Sequence, residues 1–214
     1  MSLKKSILII VVILLIDQIS KIYIKTHFTL GDGFDVSSWF KILFVENEGM
    51  AWGAKIPGQY GKLFLTLFRI VAIGGIGWWL WDSVRKNAPA VLTISIAFIF
   101  AGAFGNIIDS VFYGLIFNDS NTQIATFMPV EGGYGTLFHG KVVDMLYFPL
   151  WKGYLPEWLP FWGGDYFTFF DPVFNIADSA ISVGVMILIF FNKRAFPKEE
   201  EYNKPMDMEG KETI

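Results

Sequence analysis

Four long apolar stretches divide the chain. The first begins after Lys4 and Lys5, runs apolar from Ile7 to Ile16, and continues past Asp17-Gln18 through Ile19, Ile22, Tyr23 and Ile24. Basic residues ahead of about ten apolar ones resemble a signal peptide, but no small-x-small cleavage site follows. Residues 3–25 are long enough for an uncleaved transmembrane helix, which needs roughly 20 residues. The second span is predicted at 62–81, closing on an interfacial belt of Trp78, Trp79 and Trp81. The turn Arg85-Lys86-Asn87 and Pro89 introduce a third span at 90–113. A fourth, at 173–191, ends in Lys193-Arg194, and residues 198–214 form a polar tail expected to be disordered.

Two longer segments separate the spans. Residues 27–59 carry the turn signals Gly31-Asp32-Gly33 and Pro57-Gly58, with a short strand predicted from Phe40 to Val45. Residues 115–171 present no periodic pattern, and a segment of that length is functional or mobile. Its aromatic run from Tyr147 to Phe167 is expected to rest on the membrane surface. The fold class is therefore an α-helical integral membrane protein, with four transmembrane helices and a small extracytoplasmic β-rich element. Residues 1–197 are expected to form a single membrane domain.

Composition supports this class. The 214 residues are 53% hydrophobic and only 17% charged, against about 25% charged in soluble domains. A net charge of −3 without a basic patch gives no sign of nucleic-acid binding. The absence of cysteine excludes disulfides, thiol nucleophiles and thiolate metal sites. The only histidines, His27 and His139, are too few and too far apart in sequence to suggest a zinc motif. Lys4, Lys5, Arg85, Lys86, Lys193 and Arg194 fall on one side of a four-span arrangement, which the positive-inside rule makes cytoplasmic. Both termini then face the cytoplasm and both long loops face outward.

Polar residues inside the spans supply candidate chemistry. Asp17 and Lys21 are four apart on one helix face and can pair. Gly102, Gly105, Asn106, Asp109 and Tyr113 share a stripe of the third span, where the glycines admit a close neighbour. Arg69 lies roughly 10–14 Å inside the second span, where pairing with a carboxylate is expected. In the fourth span Asn175, Asp178, Ser179 and Ser182 share a face, and Asp178 sits where the helix dipole favours a negative charge. An ionisable residue in a span is expensive and calls for a partner, and Asp144 is the candidate. Two carboxyls side by side hold one proton between them, the arrangement of aspartic proteases. The same residues admit other readings: a paired-carboxylate ion or transport site, or helix glue worth about 0.6 kcal/mol per contact. Four spans without a repeat, with aspartates clustered toward one face, fit a transporter poorly.

Several short stretches together resemble the lipoprotein signal peptidases, or signal peptidase II. Asp17-Gln18-Ile19-Ser20-Lys21 matches a D-x-x-x-K element, and Asn47-Glu48-Gly49-Met50-Ala51-Trp52-Gly53 an N-x-G-x-A-aromatic-G element. Gly102-Ala103-Phe104-Gly105-Asn106-Ile107-Ile108-Asp109 matches G-A-x-G-N-x-x-D. Val142-Val143-Asp144 matches V-V-D, and Phe174-Asn175-Ile176-Ala177-Asp178-Ser179 matches F-N-x-A-D-S. The pieces fall in the family's order and cover about residues 10–192.

The resemblance implies an aspartic endopeptidase of the bacterial inner membrane, acting at its outer face. Its substrates would be diacylglyceryl-modified prolipoproteins, cut before the lipidated cysteine, and membrane lipid would be a second partner. Asp144 and Asp178 would be the catalytic pair and Asn175 would orient them. Asn47, Gly49, Asn106 and Asp109 would shape the pocket, with Asp17 and Lys21 in supporting positions. Residues 27–46 would form a β-cradle and the stretch after Gly49 a flap. No metal or cofactor is implied, and cyclic peptides of the globomycin type would be inhibitors. The family usually has arginine after its G-N-x-x-D, where this chain has Ser110, and by charge Arg69 or Lys141 stands in for it. The loop before Asp144 and the segment at about 151–170 are longer than is typical.

Overall fold

The structure, a computed structural model, describes residues 1–48 and 60–197. Gly49, the flap predicted after it and the 198–214 tail lie outside the described residues. Helix α1 (Leu3–His27) is 25 residues long and α2 (Gly61–Arg85) another 25. Helix α3 (Ala90–Ile108) continues through a wider π turn at Asp109–Tyr113 and a last turn at Gly114–Ile116. These three are long and apolar enough to cross a bilayer. Helix α4 (Ile176–Phe190) has 15 residues and begins three residues later than the sequence predicts. The displaced residues have other partners. Val173 and Phe174 pair with a neighbouring strand, and the side chain of Asn175 accepts from the Asp178 N–H to cap the helix. A one-turn helix, Asn192–Ala195, follows.

At one end of the bundle sits a four-stranded antiparallel sheet in the order β1-β2-β3-β6, from Gly33–Asp35, Lys41–Asn47, Val142–Tyr147 and Val173–Phe174. Strand β3 is buried at five of its six positions, because strands flank it and helix ends lie beneath it. Phe44, Val143 and Met145 pack there against Ile24, Tyr113 and Phe117, so the core under the sheet joins α1 to the extended end of α3. A second apolar cluster, Leu80, Leu92, Ile96, Ala97 and Ala195, closes the opposite end of the bundle.

The 115–171 segment is more ordered than its lack of periodicity predicts. It contains β3, an isolated bridge between Phe117 and Phe127, and a hairpin of β4 (Trp151–Tyr154) with β5 (Tyr166–Phe169). Their partners are distant or aromatic on both faces, which hides the alternation.

Helices α3 and α4 approach closely over Gly102. A Cβ there would stand 2.1 Å from the Ala177 carbonyl oxygen, and at Gly105 it would stand 2.7 Å from Asp17 Oδ2. Hydrogen at these positions lets α3 reach both α4 and the carboxylate of α1, as small residues do in membrane bundles.

Candidate active site

The polar residues of three helices and two strands meet where the bundle joins the sheet. Their assembly starts at α1. Lys21, with no solvent exposure, forms ion pairs of 2.9 Å with Asp17 Oδ2 and 2.9 Å with Asp109 Oδ2. A lysine buried at this depth is tolerable only when such partners compensate its lost hydration. Each carboxylate also serves a neighbouring element. Asp17 Oδ1 accepts from the Ala177 N–H at 2.9 Å, at the positive end of α4. Asp109 Oδ2 accepts from the Val143 N–H at 3.2 Å and so holds β3 against α3.

Lys21 also donates to Asn106 Oδ1 at 2.8 Å, leaving the amide nitrogen of Asn106 to donate to Asp178 Oδ1 at 2.8 Å. Asn175 completes the connection. Its side-chain nitrogen donates to Asp144 Oδ1 at 2.7 Å and contacts Asn106 Oδ1 at 3.1 Å and the Val143 carbonyl at 3.2 Å. Its backbone N–H donates to Asp178 Oδ2 at 3.2 Å, and its Oδ1 accepts from the Asp178 N–H at 2.9 Å. The reciprocal pattern is a capping box. Asn47 is a diagonal cross-strand neighbour of Asp144 and donates to its other oxygen, Oδ2.

The two aspartates are thus held from one asparagine, Asp144 by its side chain and Asp178 by its backbone. Asp144 is 2% exposed. Burial first, and the Asp178 charge beside it, push the Asp144 carboxyl up to about 8, against the opposing hydrogen bonds from Asn175 and Asn47. The carboxyl pair is thereby disposed to keep a proton well above the usual carboxylate range.

Asp17, Lys21, Asn47, Asn106, Asp109, Asp144, Asn175 and Asp178 all belong to this one network, and Gly49 lies outside the described residues. Arg69 departs from expectation: among the described residues it has no ion pair, and its Nη1 is buried without a hydrogen-bond partner. Asp178, whose field reaches Arg69, already accepts from Asn106 and Asn175. The Ser110 hydroxyl is likewise buried without a partner. Lys141 is engaged elsewhere, at 3.2 Å from Glu46 Oε2. Among the described residues no three His, Asp or Glu side chains converge in a cluster suited to a metal.

Sequence reasoning passed over Gln18 and Lys25. Gln18 donates to Asp17 Oδ2 and Asp109 Oδ1, each at 3.0 Å, and accepts from Tyr113 at 3.2 Å. Lys25 is fully buried, pairs with Glu46, bonds Ser120 Oγ at 2.8 Å and stands over the rings of Phe44, Phe117 and Tyr134. Asp17, Lys21 and Lys25 recur every four residues on α1, and that spacing is the signal that could have placed Lys25 on the same inward stripe.

The fold and site define a helical integral membrane protein with a carboxylate pair, Asp144 buried and Asp178 half-buried, at one end of its bundle. A family profile described as Signal peptidase (SPase) II matches residues 9–193. A lipoprotein signal peptidase of Porphyromonas gingivalis is 53% identical over 182 residues, covering 85% of this chain and 79% of its own. One from Amoebophilus asiaticus is 38% identical, covering 84% and 73%. A solved bacterial membrane enzyme superposes with a TM-score of 0.59 at 26% identity, covering 92% of this chain and 93% of its own. The chain belongs to the signal peptidase II family and is a protease integral to the bacterial inner membrane.

Proposed function

We propose that the chain is an aspartic endopeptidase that removes the signal peptide from diacylglyceryl-modified prolipoproteins, cutting before the lipidated cysteine. The observation that carries this reading is the joint suspension of Asp144 and Asp178 from Asn175. A water held between the carboxyls attacks the carbonyl carbon of the residue before the cysteine and gives up a proton to the pair. The tetrahedral intermediate collapses when the pair returns a proton to the cysteine nitrogen, which leaves as an amine. Coupled carboxyls share the proton, so the acid and base roles belong to the pair and not to one residue. The raised Asp144 carboxyl supports this, since it keeps a proton on the pair well above the usual carboxylate range.

Asn47, Asn106 and Asn175 aim the carboxyls, and Asp17, Lys21 and Asp109 fix the three elements that carry them. Gly49 belongs to the pocket wall on the strength of its motif alone, and so does the flap that follows it. Acyl chains of the substrate lie between lipid-facing helices, and cyclic peptides of the globomycin type compete for the same cleft. The site faces outward with both termini cytoplasmic. This orientation is supported by Lys4, Lys5, Arg85, Lys86, Lys193 and Arg194, which lie on helix ends remote from the sheet. Residues 1–197 act as one membrane domain.

The test is a gel-shift assay on a lipidated prolipoprotein in membranes, with the unlipidated precursor as control. Asp144→Asn and Asp178→Asn should each abolish cleavage while the protein still melts in a cooperative transition. A normal rate from either variant overturns the dyad, and equal cleavage of the unlipidated precursor overturns the substrate assignment.

A further inference from the structure

The β4–β5 hairpin is amphipathic. Its register pairs Trp151 with Phe169, Lys152 with Thr168, Gly153 with Phe167 and Tyr154 with Tyr166. Because side chains alternate between faces, Trp151, Phe167 and Phe169 lie on one side, and Lys152, Thr168 and the two tyrosines on the other. The first face is apolar and uncovered: its three aromatics are all classed as exposed. The two strands pack chiefly against each other, and an isolated two-stranded hairpin is marginal in water.

The tip repeats the pattern at higher cost. Backbone bonds Leu155 N–H to Asp165 O at 2.9 Å and Gly164 N–H to Leu155 O at 3.0 Å close it into a defined loop. From that loop Trp158, Phe161 and Trp162 project with 79%, 95% and 64% exposure. Phe161 also sits at φ +72°, the left-handed region, which is disfavoured for any residue that carries a side chain. Its ring meets the neighbouring Trp162 edge-on with centroids 6.4 Å apart and is otherwise bare among the described residues.

The root of the hairpin fixes where this surface lies. Phe170 packs on Phe174 with centroids 6.0 Å apart, Phe174 on Phe148 at 5.6 Å, and Phe148 on Phe40 at 4.6 Å. Phe174 immediately precedes the cap of α4, so the aromatic stack stands at the bilayer boundary. The hairpin therefore starts at the level of the headgroups, a layer in which tryptophan and tyrosine are enriched. Its charges are one lysine, Lys152, against Glu157, Asp165 and Asp171, so attraction to anionic lipid does not hold it there.

We propose that this hairpin is a membrane-interface anchor, whose apolar face and Trp158-Phe161-Trp162 tip sit in the outer leaflet beside the active site and bind uncharged lipid. The reading does not depend on the dyad. The chain has no cysteine, so Phe161→Cys and, separately, Trp162→Cys in the full-length protein give single labelling sites. Each is labelled with an environment-sensitive fluorophore and placed in phosphatidylcholine nanodiscs. Nitroxide lipids labelled near the headgroup should quench the fluorophore several-fold more than aqueous iodide, and phosphatidylglycerol discs should give the same result. Dominant iodide quenching at both positions means that the tip faces water, as a docking surface for another protein would, and overturns the proposal. Quenching by lipid that appears only in phosphatidylglycerol also overturns it, by replacing insertion with charge attraction.

Discussion

Lys21 and Asn106 meet at 2.8 Å, and this contact decides which end of the Asn106 amide faces Asp178. With its oxygen held by the ammonium, Asn106 can offer Asp178 only N–H. The charge on α1 thus acts on the carboxylate of α4 through an intermediary on α3.

Replacing Lys21 by Met should therefore damage both folding and chemistry. Asp17 and Asp109 would be left as uncompensated buried carboxylates, at a cost of about 3–5 kcal/mol. In whatever fraction remains folded, kcat should fall by more than KM rises, because the Asn106 amide is free to turn. Thermal melting in nanodiscs and steady-state cleavage separate the two effects. Wild-type kcat in the folded fraction would remove Lys21 from the orienting chain.

The raised Asp144 carboxyl sets a pH dependence. Its folded value, about 8, lies above that of the unfolded chain, near 4. Between these values the folded state holds the proton more tightly. The stability it contributes is fully present below about pH 4 and is lost as pH rises toward 8. Melting temperature should therefore decline over that interval in the wild type and be flatter in Asp144→Asn. Cleavage by the wild type should fall above about pH 8, as the pair loses its proton. A rate that stays level to pH 10 would contradict this.

Gly105→Ala tests the close approach of α1 to α3. The new methyl would stand 2.7 Å from Asp17 Oδ2, and overpacking of this kind costs typically about 1–3 kcal/mol. Because Asp17 Oδ1 holds the Ala177 N–H, cleavage should drop along with the melting temperature. Gly74→Ala, where a Cβ meets nothing within 4 Å, is the control and should be silent.

Among the described residues nothing accepts a hydrogen bond from the buried Nη1 of Arg69 on α2, which lies within the field of Asp178. A hydrogen bond from a charged group contributes about 1.5–3 kcal/mol. If a substrate carbonyl accepts that bond, Arg69→Gln should raise KM roughly tenfold or more, with kcat less affected. Unchanged KM in steady-state assays would leave the guanidinium a structural group.

Much of this was legible from spacing. Asp17 and Lys21 at i and i+4, the Gly102–Gly105–Asn106–Asp109 stripe and the shared face of Asn175 and Asp178 are local patterns, and local geometry determines them. What stayed hidden depends on partners far away in sequence. Lys25 reads as a span-ending cation until Glu46 and Ser120 are brought to it from a strand and a loop. Gln18 is an unremarkable amide until Tyr113 and Asp109 converge on it. The β4–β5 pairing escaped notice because aromatics occupy both of its faces, so the usual alternation of apolar and polar residues is blurred. The start of α4 was misjudged for a related reason: Val173 and Phe174 are as apolar as a span, and only the register of β3 claims them for the sheet.

At 1.5 Å per residue, the 15 residues of α4 reach about 22 Å, against a hydrocarbon core of about 30 Å. Phe191 and the one-turn helix Asn192–Ala195 extend it to Lys193 and Arg194, the positive charges that close the span. Its other end is the first turn, which carries Asp178. A carboxylate at the end of so short a helix stays near the edge of the hydrocarbon layer, within reach of the water that a hydrolysis consumes.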